Sequence, residues 1–213
     1  DLISENLPKI IRNYRWKKSM KWGDFELNWG RPLKSILCVF DKKVVNFNLH
    51  HLKSSNFTYI DKDFEEKKKI FTDYRSYQKF FNKIGTIIDQ DRRKDLIRKN
   101  IDKVLKKKNL EIEDNEKLLD EVTNLVDQPY ILENSFDKKF LSIPKEILIL
   151  TMQSHQKYFP LFTKKKEITN EFIVIANKND ARGLIKIGNE RVVDARLNDA
   201  EFFWNKDKAQ NLV

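Results

Sequence analysis

The run FIVIANKND, residues 172–180, decides how the second half of this chain is read. Phe172, Ile173, Val174 and Ile175 make a short apolar, β-branched stretch that ends in polar residues at Asn177. Upstream, KYFPLFT (157–163) is a second β-rich run, and the Lys-rich KKKEITN (164–170) lies between the two. The pair predicts a hairpin, with FIVIA as its returning strand. The same stretch poses a chemical question, because Asn177, Lys178 and Asp180 match the Asn-Lys-x-Asp signature with which GTPases read guanine. Triphosphate binding also needs a Gly-rich loop whose amides cradle the phosphates. The five glycines are Gly23, Gly30, Gly85, Gly183 and Gly188, and none opens or closes a G-x-x-x-x-G-K pattern. A guanine reader with nothing to hold the phosphates is not a GTPase, and that reading is rejected.

Working outward from the hairpin, SIPKEILILTMQSHQ (142–156) carries a helix start, with Ser142 as cap, Pro144 in the first turn and Glu146 facing the helix dipole. NERVVDARLNDAEFFW (189–204) reads as a helix with Val193, Leu197, Ala200 and Trp204 on one face. On its polar side Arg191 with Asp194, and Arg196 with Asp199, stand at i,i+3. Further upstream, residues 91–109 show a single apolar stripe at Leu96, Ile97, Ile101, Val104 and Leu105. Residues 114–126 repeat it at Leu118, Leu119, Val122, Leu125 and Val126, so a helical pair is predicted. LKSILCVF (33–40) and KVVNFNL (43–49) read as strands joined by a tight turn at Asp41-Lys42-Lys43. SYQKFFNKI (76–84) reads as a short helix and TIID (86–89) as a strand. Residues 1–30, with Trp16, Trp22 and Trp29, read as an irregular lead-in to one domain over 31–213. Helices mixed with hairpins, without βαβ alternation, give an α+β class.

Composition sets outer bounds. Apolar residues make up 40% of the 213, enough for a real core. Lys and Arg number 42 against 32 Asp and Glu, a net charge of +10 that favours a polyanionic partner such as nucleic acid. The bland counterpart is plain solubility. The basic helix over 91–108 holds nine Lys or Arg against three Asp, and the acidic segment after it is placed to neutralise part of that charge. Cys38 stands alone in an apolar run, so it cannot staple the fold and reads as a small buried residue of a cytosolic protein. No run approaches a membrane span or a signal peptide, and the polar start and abrupt end suggest an excised fragment. Adjacent His50 and His51 would point to opposite faces of a strand, and His155 lacks a ligand partner at helical spacing, so no metal site is expected. No self-contained catalytic constellation is visible.

Four blocks carry a resemblance: LPKIIRNYRWKKSMKWG (7–23), RPLKSIL (31–37), SFDKKFLSIPKEILILTMQSHQKYFPLF (135–162) and GNERVVDARLNDAEFFWNKDK (188–208). Together they resemble the β subunit of the bacterial heterotetrameric glycyl-tRNA synthetase, over nearly the whole chain. That resemblance implies a cytoplasmic α2β2 ligase that attaches glycine to tRNA(Gly). ATP (with Mg) would be used on the α subunit, with no cofactor in this fragment. It also implies a region like the B3/B4 domain of phenylalanyl-tRNA synthetases here, with the HD-like and anticodon-binding regions lying elsewhere. The expected role is non-catalytic, positioning tRNA and assisting assembly. The alternatives are a purely structural subunit-docking module and, more weakly, a residual aminoacyl-tRNA editing domain. Editing is disfavoured physically: a hydrolytic second sieve admits products smaller than the cognate one, and no amino acid is smaller than glycine.

Within the matching blocks, Gln153, His155, Gln156 and Lys157 cluster where a helix gives way to the hairpin. Asn189 and Arg191 stand at a helix start, with Arg196 beyond, and Lys178 lies in the loop after the returning strand. Amides and guanidinium groups at element ends suit RNA phosphate and ribose, so these eight residues are the tRNA-binding candidates. The competing reading is local: Asn189 caps the helix, the Args pair with Asp194 and Asp199, and His155 is packed. One departure from the family stands out. After Asn56-Phe57-Thr58 a Gly-His-Arg-Phe stretch is usual, whereas this chain has Tyr59-Ile60-Asp61-Lys62-Asp63-Phe64, leaving Lys62 as a substitute charge.

Overall fold

A computed structural model describes residues 2–62 and 65–209, and the side chains of 61, 62, 65 and 66 also lie outside the description. The Lys62 side chain and residues 63 and 64 therefore fall outside the description. The chain divides into two units, Asp1–Ile84 and Gly85–Val213.

In the first unit, α1 (Leu2–Asn13) is a helix that carries Pro8, buried, in its interior. This corrects the irregular lead-in: the proline, normally a helix breaker, is what hides the helix in the sequence. Short strands follow: β1 (Ile36–Leu37), β2 (Val39–Phe40), β3 (Lys43–Val44), β4 (Asn48–Leu49) and β5 (Leu52–Ser55). β2 and β3 pair antiparallel, Val39 with Val44 and Phe40 with Lys43. The two residues between them, Asp41 (φ 46°) and Lys42 (φ 62°), are both left-handed, as a tight turn matched to strand twist requires. β1 runs parallel to β5, which pairs antiparallel with β4. β6 (Phe57–Lys62) and β7 (Glu65–Ile70) form a further antiparallel hairpin. α2 (Tyr74–Lys83) begins at a reciprocal cap, in which the Asp73 carboxylate accepts from the Ser76 amide at 2.7 Å. That bond leads the influences holding the Asp73 carboxyl below the usual carboxylate range.

In the second unit, α3 (Gln90–Lys108) and α4 (Glu116–Leu125) are the expected helical pair. β8 (Tyr130–Ser135), a 3₁₀ turn (Lys138–Ser142), α5 (Lys145–Ile149) and a π-helical turn (Leu150–His155) come next. β9 (Phe159–Phe162), β10 (Ile168–Ala176) and α6 (Leu184–Lys208) complete it. The sheet order is β8-β10-β9, antiparallel throughout, so the predicted hairpin forms and its returning strand is the central one. Residues 172–176 are buried on both faces, and strand alternation divides them. Ile173 and Ile175 join Phe159, Leu161 and α3–α4 residues including Ile97, Ile101, Leu119 and Val122 in one core. Phe172 and Val174 join Phe136, Phe140, Leu148, Met152, Val193 and Leu197 in another. The unit is thus a three-layer sandwich of helices, sheet and helices, and the class is α+β.

Three local expectations are corrected. TIID is not a strand: the Ile87 amide donates to the Asp127 carbonyl at 2.8 Å, and Asp89 caps α3 by accepting from the Arg92 amide. Ser142 does not cap a helix. It ends the 3₁₀ turn, its hydroxyl donating to the Lys139 carbonyl, and Pro144 takes the cap position of α5. α6 starts at Leu184 rather than near Asn189, because Asp180 reaches forward to the amides of Ile185 and Lys186 (3.0 and 2.8 Å) after a turn at Gly183 (φ 68°). Cys38 is half-buried, and burial pushes its thiol pKa up, which suits a packed, unreactive side chain.

Candidate functional site

The most distinctive surface of the second unit is α3. Its left-handed C-cap, Asn109 (φ 54°), and its Asp89 N-cap fix a helix about 28 Å long, taking 1.5 Å per residue over its 19 residues. Ile97 and Ile101 face the core. The cations flanking that buried face are consumed within the unit. Arg93 donates to the Thr123 carbonyl at 2.9 Å, supplying a partner to the last turn of α4, and also to the Ile87 carbonyl. Lys94 bridges Asp120 and Glu116, and Arg98 reaches Glu116 at 2.6 Å. Lys107 and Lys108 meet Glu133, and Lys108 also meets Glu171. The acidic neighbour thus neutralises part of the basic helix, as the sequence implies. The bonds to Asp120 and Glu116 raise the Lys94 pKa, and those to Glu171 and Glu133 raise that of Lys108. The Glu116 carboxyl is held low, chiefly by Lys94. Burial pushes Glu133 upward, but the two lysines outweigh it and leave the carboxyl low.

Four cations remain. Arg92, Lys99, Lys103 and Lys106 are exposed, and among the described residues none has an acidic partner; Lys103 touches only the Asn100 side-chain oxygen, at 3.4 Å. At 100° per residue they fall within about 60° of one another and span about 21 Å of helix. They form a single basic row opposite the buried face. Exposed Asp95 and Asp102 flank it on one side.

The eight residues picked from the sequence divide by how far the fold uses them. Gln153 is half-buried, and its side-chain oxygen accepts from Asn115 at 3.0 Å. Lys157, in a left-handed conformation (φ 62°), pairs with Glu121 at 2.9 Å. Asn189 lies inside α6 rather than at its cap, and accepts from the Tyr158 hydroxyl at 2.7 Å. That bond joins the end of the π turn to α6, so the two sequence blocks do meet. Burial also raises the Tyr158 pKa, which keeps its hydroxyl a donor. Gln156 is half-buried at the C-cap of the π turn. His155 is exposed, not packed. Arg191 and Arg196 are exposed, and among the described residues neither forms the expected ion pair. Asp194 sits half-buried on the flank of α6, one of its carboxylate oxygens buried with no partner among the described residues, while Arg191 is exposed. Lys178 is exposed in the loop after β10.

That loop also disposes of the guanine signature. Asn177 spends its side-chain oxygen on the Asp127 and Gln128 amides, both at 2.9 Å, clasping the α4–β8 turn to the end of β10. Asp180 spends both carboxylate oxygens starting α6. The two groups that would read a base hold the fold instead.

One family description, Glycyl-tRNA synthetase beta subunit, matches residues 1–213. The chain belongs to this family. Curated relatives named glycine–tRNA ligase beta subunit match along 99% of the chain. They include those of Rickettsia akari (37% identical), Rickettsia felis (36%) and Rickettsia bellii (35%). The chain spans about a third of the length of each, 32% of the first and 33% of the other two. No described helix is long and apolar enough to cross a membrane. Sequence reasoning weighed the basic helix as a patch but had no means of separating its four free cations from the five that the fold consumes. It also passed over the aromatic-rich segment before β1, whose signal was the interleaving of rings and cations in NYRWKK (13–18).

Proposed function

We propose that this segment is a non-catalytic, tRNA-positioning and assembly part of a cytoplasmic glycine–tRNA ligase, working with an α subunit in an α2β2 enzyme that joins glycine to tRNA(Gly) at the expense of ATP. The observation that carries the reading is the row Arg92, Lys99, Lys103 and Lys106. It has length and exposure and, among the described residues, no acidic partner, as a surface that follows a phosphate backbone needs. Arg191, Arg196, His155 and Lys178 are further proposed contacts, each exposed at its position. ATP has no evident cradle in these residues: Asn177 and Asp180 are engaged internally, and no glycine opens a phosphate loop. No step of the ligation is routed through this segment. Its part is to hold the RNA while the chemistry proceeds elsewhere.

The test is the salt dependence of tRNA binding by the complete assembly, with all four residues replaced by Ala. Each phosphate contact contributes about 0.7–0.9 to the slope of log K against log salt, so four contacts contribute about 3. The variant is expected to lose about that much slope and to show a raised KM for tRNA with kcat little changed. An unchanged slope in a correctly folded assembly refutes the reading. A structural docking role is the second reading, and the outward apolar residues of α6 (Leu184, Ile187, Phe202 and Phe203) favour it. It prevails if Phe202→Ser abolishes capture of the α subunit while the four α3 substitutions leave tRNA binding intact.

A further inference from the structure

The first unit exposes an aromatic cluster that the α3 row does not explain. Tyr14 and Trp16 are 55% and 40% exposed, which is high for such large rings. Their centroids lie 4.7 Å apart, and Trp29 lies 5.0 Å from Trp16 and 6.1 Å from Tyr14. The rings are mutually tilted by 43–70°, so they brace one another by their edges rather than closing into a parallel stack. Trp16 rests against Gly30, at which an added Cβ would sit 3.4 Å from the ring. The segment that carries it is pinned by the paired backbone bonds between Met20 and Trp29, 2.9 and 3.2 Å. The rings are therefore held in place while two of them stay open to solvent.

Their neighbours in sequence are mostly cationic. Arg12, Arg15, Lys17, Lys18, Lys21 and Arg31 are all exposed, against Asp24 and Glu26, and Glu26 is already taken by Lys21 at 2.9 Å. Tyr, Trp and Arg are also common in protein-docking patches, but lysine is depleted from the centre of such surfaces, and Lys17, Lys18 and Lys21 belong to this segment. Open rings interleaved in sequence with exposed cations match the way unpaired nucleotides are held, with bases stacked on aromatic faces and phosphates on Lys and Arg. Apart from its two ends a duplex offers no free base faces, so this chemistry favours single-stranded RNA.

We propose that Tyr14, Trp16 and Trp29, with Arg15, Lys17 and Lys18, form a stacking site for unpaired nucleotides of an RNA ligand. The site is separate in kind from the α3 row, which follows phosphates. It rests on the proposed function only for RNA as the partner, and its test does not pass through α3. Fluorescence polarisation of a labelled short oligoadenylate, and of a blunt RNA duplex of equal length, would be measured on the full-length subunit. The unsubstituted subunit is expected to bind the single strand, and Trp16→Ala and Tyr14→Ala to weaken that binding ~5- to 150-fold each, the usual value of one base stacked on a ring. Tyr14→Phe keeps the ring and is expected to bind normally. Tyr14 is the more exposed of the two, so its substitution remains informative if Trp16→Ala unsettles the loop. The four α3 substitutions are expected to leave the sensitivity to Tyr14→Ala intact, so failure of either reading is seen apart from the other. The proposal is overturned if the single strand does not bind, if Tyr14→Ala binds it as wild type does, or if Tyr14→Phe loses as much as Tyr14→Ala. It is equally overturned if the substitutions release the α subunit while RNA binding is unchanged.

Discussion

Replacing Asn177 by Ala probes the link between the end of β10 and the turn that joins α4 to β8. One side-chain oxygen accepts two amide bonds there, from Asp127 and Gln128, each 2.9 Å long. A net intramolecular hydrogen bond is worth about 0.5–1.5 kcal/mol, so the pair bounds the loss at about 1–3 kcal/mol. The bonds are exposed, and water can take the place of the missing oxygen, so the lower part of that range applies, about 1–2 kcal/mol. Because the chain has two units, a single global unfolding curve would mix their responses. Amide exchange followed peptide by peptide avoids this. β8 and β10 peptides are expected to lose about 5- to 30-fold in protection, with peptides from residues 2–84 unchanged. Asn177→Asp keeps an acceptor oxygen and is expected to retain more than half of the protection. Wild-type exchange in Asn177→Ala would refute the clasp. Protection of residues 177–180 by GTP with Mg would refute the stronger conclusion that these side chains are spent on the fold.

Two further outcomes can be checked. Glu111, held low chiefly by Lys166 and Lys164, and likewise Glu116 and Glu133, have folded-state pKa values below their ordinary one. Their contribution is therefore full above the unfolded value of about 4.3 and is lost as pH falls through the folded values, so protection of the second unit should drop on acidification from about pH 4.5, and a rise instead would refute the sign. In the first unit Lys42→Gly relieves a left-handed lysine in the β2–β3 turn and should stabilise that unit by about 0.5–1 kcal/mol, read from exchange of peptides spanning residues 36–55; destabilisation would show that the Lys42 side chain matters more than its backbone.

Elements whose apolar spacing decides their burial were legible. The stripes at Ile97–Ile101 and Leu118–Val122 fold as the α3–α4 pair, and the two apolar runs around KKKEITN fold as β9–β10. What failed was decided by partners distant in sequence. TIID has strand-like residues but pairs with no strand among the described residues, and the Ile87 amide goes to the Asp127 carbonyl. The start of α6 depends on Asp180 reaching five and six residues forward, beyond the usual capping distance. The β6–β7 hairpin went unread because consecutive lysines on β7, Lys67, Lys68 and Lys69, stand opposite Ile60, Tyr59 and Thr58 and blur the alternation. The same limit applies to the site. Lys and Arg can be counted in a sequence, but Lys108 is consumed by Glu171, 63 positions away, and Lys106 is left free.

The central position of β10 also governs the order in which the second unit can be completed during synthesis. Both cores close on this one strand, from opposite sides. A nascent chain that has emerged only to the β9–β10 turn holds α3, α4, β8 and β9, yet lacks the central strand on which both layers close. Even after β10 emerges, the second core waits for Val193 and Leu197. At ~5–20 residues per second, the stretch from residue 97 to residue 197 takes roughly 5–20 s to appear; the apolar faces of the first core stay uncovered until β10 has emerged, and those of the second until Val193 and Leu197 have. Newly made chains are therefore most open to chaperones and proteases in that interval, and slowing translation just before residue 168 would prolong it.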